Sequence, residues 1–420
     1  MSDNTITLEN SDLYVRTNYS WLYKTQDIVS AVYIFVSLVW HYTTLFQFMV
    51  FAVLICHAAV LWMTNSKQLA YSQLIWIVIF GVFFILGDIA GFPVRMAEAV
   101  RRLATTILYY LTINAYICQV STEEKLRKFA RNITLTMTIL SVYLLFIQAG
   151  TLGMGGLGRE IRLGTVRINY PIVGVVSYNG NWIGQPSAMA ALLQFYLFDR
   201  DRKFSRLLLV AAMSVFVLLS GSRKALIILI GAPVIFLFLK EDRAFYRIRT
   251  LLIGAAFGVA VIFAMLNIPL LYDTIGARME NYALSLFGQI ELTEGSAIHR
   301  GKMIDIGTEL IQARPFTGYG LDNYKFLGDY RVYSHNNYIE LMVSGGVFAL
   351  VAYYWWYLYI IVKTFFSKGN RKAWALSLSL IVLMPIVEYG WVIYLDRVLF
   401  IPMTIAYYFL ASERRKELFG

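Results

Sequence analysis

Residues 333–350 read YSHNNYIELMVSGGVFAL, a cluster of Ser, His and Asn that opens directly into apolar sequence. The apolar run continues to residue 364. A helix needs about 20 such residues to cross a hydrocarbon core roughly 30 Å thick, so this run is long enough. Runs of the same kind lie near 27–44, 46–63, 72–91, 98–119, 129–149, 184–199, 204–220, 223–240, 248–269, 373–393 and 396–412, which with 336–364 makes twelve candidate spans. The predicted fold is an all-α polytopic membrane protein.

The bulk composition agrees. Of 420 residues, 58% are hydrophobic and 15% charged, outside the range of soluble globular domains. A net charge of +11 would suit nucleic acid if it formed one patch, but the basic residues stand in small clusters between apolar runs. That pattern is topological, and no nucleic-acid partner is expected. Residues 1–24 are polar and mixed in charge, so no cleaved signal peptide is expected and the first span directs insertion. Cys56 and Cys118 both sit in apolar runs, where neither is placed for a disulfide or a metal site.

Orientation follows from Lys and Arg. The clusters KLRKFAR (125–131), DRDRKFSR (199–206), KEDRAFYRIR (240–249), KGNRK (368–372) and ERRKE (413–417) fall on one side of a twelve-span thread. The positive-inside rule makes that side, and both termini, cytoplasmic. Residues 1–269 then hold nine spans with an outer loop at 150–183, residues 270–335 form a second outer segment, and residues 336–420 hold three spans and a cytoplasmic tail.

The 270–335 segment is too rich in Tyr, Leu and Ile for disorder and should fold into a small extracytoplasmic subdomain. Within it, SAIHRGKMIDIGTELIQARP (296–315) runs from a Ser start to a Pro stop, with Ile298, Met303, Ile306 and Leu310 near helical spacing. This reads as an amphipathic lid helix. The following FTGYGLDNY (316–324) is a glycine-punctuated turn suited to close approach of backbone to a ligand.

Arginines on the outer side run against the charge bias and need a reason. In SGSRKALI (220–227), Arg223 opens a span beside a tight turn. It is either an interfacial anchor or, with backbone N–H groups of a helix start, an anion site. Arg300 opens the lid helix and is either a solvated charge or faces the same surface. Arg159, Arg162 and Arg167 have the same two readings. His335 either caps the following helix with Asn336 or exchanges a proton with a hydroxyl or a phosphate. His41, His57 and His299 lack partners at ligand spacing, so no metal is expected. Asp88, Glu98 and Glu388 lie in or near spans and must be paired or face a cavity.

The arrangement resembles the O-antigen ligase and O-antigen/capsule polymerase superfamily of bacterial membrane glycosyltransferases. In that family a His-Asn pair is followed nine residues later by GxxGxL at the head of a span. Here His335 and Asn336 are followed by GVFALV (346–351), with Ala349 in place of the second glycine. SGSRKA (220–225) is similar to the family's Gly-Ser-Arg turn. RGKMIDIGTELIQARPFTGYGLDNY (300–324) resembles its Arg-to-Pro-to-GxG segment, with Met303 or Ile304 where a Trp is customary, and YNGNWIGQPSAMAALL (178–193) is similar to a family segment before a span.

The resemblance implies an enzyme of capsule or exopolysaccharide biosynthesis in the bacterial cytoplasmic membrane. It would transfer a glycan from an undecaprenyl-pyrophosphate donor to an acceptor hydroxyl on the outer side, inverting and without metal or other cofactor. Arg223 and Arg300 are then expected to hold pyrophosphate and His335 to activate the hydroxyl, with Ser222, Asn336, Tyr319, Arg162 and Arg167 in contact with substrate. A polymerase extending lipid-linked repeats is preferred to a ligase acting on a lipid A core or a protein. Membrane lipids, a chain-length regulator and a flippase are the expected partners. A lipid-linked sugar transporter is the reading from a different class, but such folds show two related halves and no repeat is found here.

Overall fold

The structure, a computed structural model, describes residues 20–40, 45–64, 71–91, 94–117, 119–120, 122–156, 163, 166–170, 174–286, 295–328, 331–366 and 370–419. The first nine predicted runs correspond to α1 (Ser20–Val39), α2 (Leu45–Thr64), α3 (Tyr71–Gly91), α4 (Met96–Ile117), α5 (Glu123–Gly156), α6 (Gly180–Asp201), α7 (Phe204–Ser220), α8 (Arg223–Lys240) and α9 (Ala244–Asn267). The segment 270–335 carries α10 (Ala277–Leu286) and α11 (Gly295–Ala313), and the chain closes with α12 (Asn337–Phe365), α13 (Arg371–Ile381) and α14 (Phe400–Phe419). Among the described residues, three helices, Glu123–Gly150, Ala244–Asn267 and Asn337–Phe365, are each long and apolar enough to cross a bilayer, and shorter apolar helices are present too. On α9 the side chains of Leu252, Val259 and Phe263 are mostly exposed, a surface suited to hydrocarbon rather than water.

Two expectations are corrected. The protein is not all-α: within 150–183, β1 (Val166–Tyr170) and β2 (Gly174–Tyr178) pair antiparallel, with Val166 opposite Tyr178 and Tyr170 opposite Gly174. β-Branched and aromatic residues favour that pairing, and Val166, Val176 and Tyr178 turn inward. The Tyr178 hydroxyl fixes the hairpin to α1 by donating to the Val39 carbonyl at 2.8 Å.

The run 373–393 is likewise not one helix. α13 stops at Ile381, a short turn (Met384–Glu388) opens with Pro385 in its first positions, and the chain reaches the 3₁₀ turn Arg397–Leu399 without regular structure. Buried polar groups on α12 hold this break. The Glu388 carboxylate accepts from Tyr354 at 2.5 Å, from Tyr353 at 3.2 Å, from Tyr357, and from the Asn337 amide at 3.3 Å. The Asn337 carbonyl oxygen in turn accepts the N–H groups of Ile393 at 3.0 Å and Tyr394 at 3.2 Å. Hydropathy counted the apolar residues but carried no sign of this internal scaffold.

α12 is itself kinked at Gly345 and Gly346. The turn after α11 docks into the kink by backbone bonds: Tyr319 N–H to Val343 O at 2.7 Å, Gly320 N–H to Ser344 O at 3.0 Å, and Val347 N–H to Pro315 O at 2.9 Å. A Cβ on Gly346 would collide with the Phe316 carbonyl. The first part of FTGYGLDNY thus makes its close approach to α12, while Asp322 lines a cavity described below.

The bundle has two chemically distinct ends. At one, Lys240 and Lys372 pair with Asp199 at 2.5 and 2.7 Å, while Arg127 joins Asp201 and Glu123, each at 2.7 Å. Four of the basic connections thus meet there. α6 and α8 run from this end to the opposite one, where Gly180 and Arg223 begin them beside the 220–222 turn.

Candidate active site

The start of α12 sets His335. Asn336 is the N-cap, its side-chain oxygen accepting from Tyr338 N–H at 2.9 Å and Ile339 N–H at 3.1 Å. Glu340 reaches back to accept the Ser334 N–H at 2.8 Å, and the Ser334 hydroxyl donates to the Asn336 carbonyl at 2.9 Å. With both neighbours tied down, His335 takes a left-handed φ of 58°. That conformation is uncommon for a residue with a side chain and persists only where the surroundings impose it. The imidazole lies against Tyr333, ring centroids 4.3 Å apart.

His335 and Tyr333 line a cavity of about 510 Å³ at the end of the bundle away from the basic connections. Arg300 of α11 and Lys224 of α8 join them in its wall. Ser222 caps α8, accepting from Ala225 N–H at 3.3 Å, and its hydroxyl donates to Asn181 at 2.7 Å. Gly184 lets α6 approach this cap, because a Cβ there would stand 2.8 Å from that of Ala225. Gly390, from the broken segment, lies against Lys224, where a Cβ would come within 2.7 Å of Cε. These two close contacts bring α6, α8 and the chain after Glu388 around one space.

A second part of the wall comes from α4 and the start of the last helix. Arg102 donates to Asp322 at 2.8 Å, and Lys325 bridges Asp322 at 2.8 Å and Glu98 at 3.0 Å. Arg397 donates to the Tyr109 hydroxyl at 3.0 Å and stacks its guanidinium 4.8 Å from that ring. Asp396 accepts from Trp391 Nε1 at 2.9 Å and Val398 N–H at 3.0 Å.

Burial, with the positive charges of Arg300 and Lys224, pushes the His335 imidazole down to about 4. It is therefore neutral at pH 7 and able to accept a proton. Among the described residues no group of three or more His, Cys, Asp or Glu side chains is arranged to hold a metal ion.

Of the residues singled out in the sequence, His335, Arg300 and Ser222 meet in the cavity wall. Arg223 does not line it; its neighbour Lys224 does. Successive helical residues point about 100° apart, so only one of the two can face the cavity squarely. The Asn336 side chain is committed to its cap. Tyr319 packs with Met303, Tyr324 and Val343 beneath the lid helix, with Arg314 4.6 Å over its ring. Arg167 is exposed on β1 opposite Ser177, and Arg162 and Arg159 lie outside the described residues. The carboxylates expected to be partnered are so: Asp88 accepts the Leu321 N–H at 2.9 Å, Glu98 pairs with Arg101 and Lys325, and Glu388 has its Tyr and Asn donors.

Residues 208–354 match the family model of the O-antigen ligase. This segment is similar to the O-antigen ligase family. The match bears out the resemblance carried by the Gly-Ser-Arg, lid-helix and His-Asn motifs, and no curated protein matches the chain. Within the O-antigen ligase segment lie Ser222, Lys224, Arg300, Asp322 and His335. Outside it lie Arg102, Gln185, Trp391, Asp396 and Arg397, which complete the wall and which the motifs did not mark. The one sequence signal for the last pair was a charged dipeptide at the head of an apolar run.

Proposed function

We propose that this chain is a membrane polymerase that joins undecaprenyl-pyrophosphate-linked oligosaccharides on the outer side of the cytoplasmic membrane. The observation that carries the reading is the convergence of Lys224 and Arg300 on a neutral His335 in one cavity wall. The acceptor hydroxyl oxygen attacks the anomeric carbon from the face opposite the pyrophosphate, so the product is inverted. As the new C–O bond forms, the bond from C1 to the phosphate oxygen breaks and its electron pair leaves on the pyrophosphate. Lys224 and Arg300 stabilise that growing charge, and the hydroxyl proton passes to His335. No metal enters this scheme because the two side chains supply the charge.

Burial is the main cause of the low His335 pKa, and a pyrophosphate beside it would offset the further part due to Arg300 and Lys224. The imidazole therefore becomes a stronger base once the donor is bound. The basic end of the bundle is the cytoplasmic end in this reading, with both termini there and the cavity outside.

The family description favours a second reading, transfer of the glycan to a lipid A core sugar or a protein by the same chemistry. The test is purified protein in detergent with a defined undecaprenyl-pyrophosphate oligosaccharide, alone or with a lipid A core acceptor. Ladders from the donor alone support the polymerase; single transfer only to the core supports the ligase. His335→Ala and Arg300→Gln should each slow either product at least about a hundred-fold. Unchanged rates in both variants would remove the site assignment.

A further inference from the structure

Gln185 lies on α6, one helical turn beyond Asn181, the residue that accepts from the α8 cap. Gln185 lines the cavity and is 0% exposed, yet neither Oε1 nor Nε2 has a hydrogen-bond partner. Burying a carboxamide with nothing to bond is unfavourable, and such a group is retained where something else completes it. Arg397, 8% exposed, is in a similar position: one guanidinium nitrogen, Nη1, has no partner.

The chemistry of these atoms selects what completes them. Pyrophosphate offers acceptors only, so it could satisfy Nε2 of Gln185 but leaves the Oε1 acceptor without a donor. A sugar offers hydroxyl or amide N–H donors together with acceptors. Charge points the same way. Arg102 is paired with Asp322, and Arg397 stands beside Asp396, so the α4 and 390–397 part of the wall is balanced. Lys224 and Arg300 line the other part of the wall. Trp391 and Trp182 add flat apolar faces to the wall, each indole N–H already bonded, to Asp396 at 2.9 Å and to the Leu38 carbonyl at 2.7 Å.

We propose that Gln185 is a specificity-determining residue that hydrogen-bonds the sugar attached to the pyrophosphate, with Arg397 Nη1 as a further donor to the glycan. This rests on the glycosyl-transfer reading and adds which part of the donor each region of the wall recognises. Lys224 and Arg300 take the phosphates. Gln185, placed one turn from the helix cap beside them, takes the sugar through a paired donor and acceptor.

The test uses the whole protein in detergent and two probes, bare undecaprenyl pyrophosphate and undecaprenyl-pyrophosphoryl monosaccharide. The sugar is supplied in two forms, with an acetamido group or a hydroxyl at C2. Wild type should bind the better monosaccharide lipid about ten-fold more tightly than the bare lipid, the range expected of a two-point hydrogen bond. Gln185→Leu should bind the bare lipid as wild type does and lose the sugar increment, while Gln185→Glu, which keeps an acceptor, should retain part of it. Arg300→Gln should weaken both probes. Preference for the acetamido or the hydroxyl form in wild type, lost in Gln185→Leu, identifies the group read. Equal weakening of both probes in Gln185→Leu, or no change in either, overturns the proposal. If wild type binds no lipid pyrophosphate at all, the glycosyl-transfer reading falls, and this proposal with it.

Discussion

His335 sits where protonation can be followed directly. Its ordinary pKa is near 6.5, and burial plus Arg300 and Lys224 pushes it to about 4 in the free enzyme. A base is lost when it is protonated, so kcat/KM should fall as pH drops through about 4, because that ratio reports the free enzyme. The acid limb of kcat reports the complex. It should lie at higher pH, since a bound pyrophosphate offsets the two cations. Lys224→Met removes one of those charges and should move the kcat/KM limb upward, toward 6.5, while slowing the reaction. Paired pH profiles of wild type and Lys224→Met check this; a kcat/KM limb already at 6.5 in wild type, or one that Lys224→Met leaves in place, would contradict the proposed electrostatics.

Among the elements, the kinked α12 and the turn docked on it separate glycines that matter from glycines that do not. Gly346 has φ 67° and faces the Phe316 carbonyl, so Gly346→Ala should undock the 315–320 turn and destabilise the protein by well over 1 kcal/mol. Gly258 lies inside α9 with nothing within 4 Å of a Cβ, so Gly258→Ala should be neutral or stabilise by about 0.5 kcal/mol. Asn336→Ala falls between, at about 1 kcal/mol for a lost cap. Thermal unfolding of the three variants in one detergent ranks them, and a Gly346→Ala protein as stable as wild type would show that the docking is dispensable. The GxxG-like string was legible as a signature in the sequence, but its reason was not. Period and composition report which residues can form a helix; they do not report that a distant carbonyl at Phe316 occupies the space a side chain would need. The broken segment after Ile381 was hidden for the same reason, since Glu388 and its Tyr donors come together only in the folded bundle. Lys224 was not singled out in the sequence, because a turn motif fixes that a cation is present and helix phase decides which one lines the cavity.

At the scale of the whole molecule, the charge pattern and the site divide between the two ends of one bundle. The Lys and Arg clusters were readable as a series, and the structure joins four of them through Asp199, Asp201, Glu123 and Asp242 at one end. At the other end stand the hairpin, the caps of α6 and α8, and His335. A lipid pyrophosphate presented outside the membrane can reach Lys224 and Arg300 only if that end faces outward. Arg167 on β1 and Arg243 at the head of α9 are both exposed and mark the two ends. With Cys56 and Cys118 replaced by Ser, single-cysteine Arg167→Cys should react with a membrane-impermeant maleimide in intact cells. Arg243→Cys should react only after the membrane is opened. Reversed labelling would place His335 on the cytoplasmic side, where nucleotide-activated sugars are available, and the case for a lipid-pyrophosphate donor would then have to be abandoned.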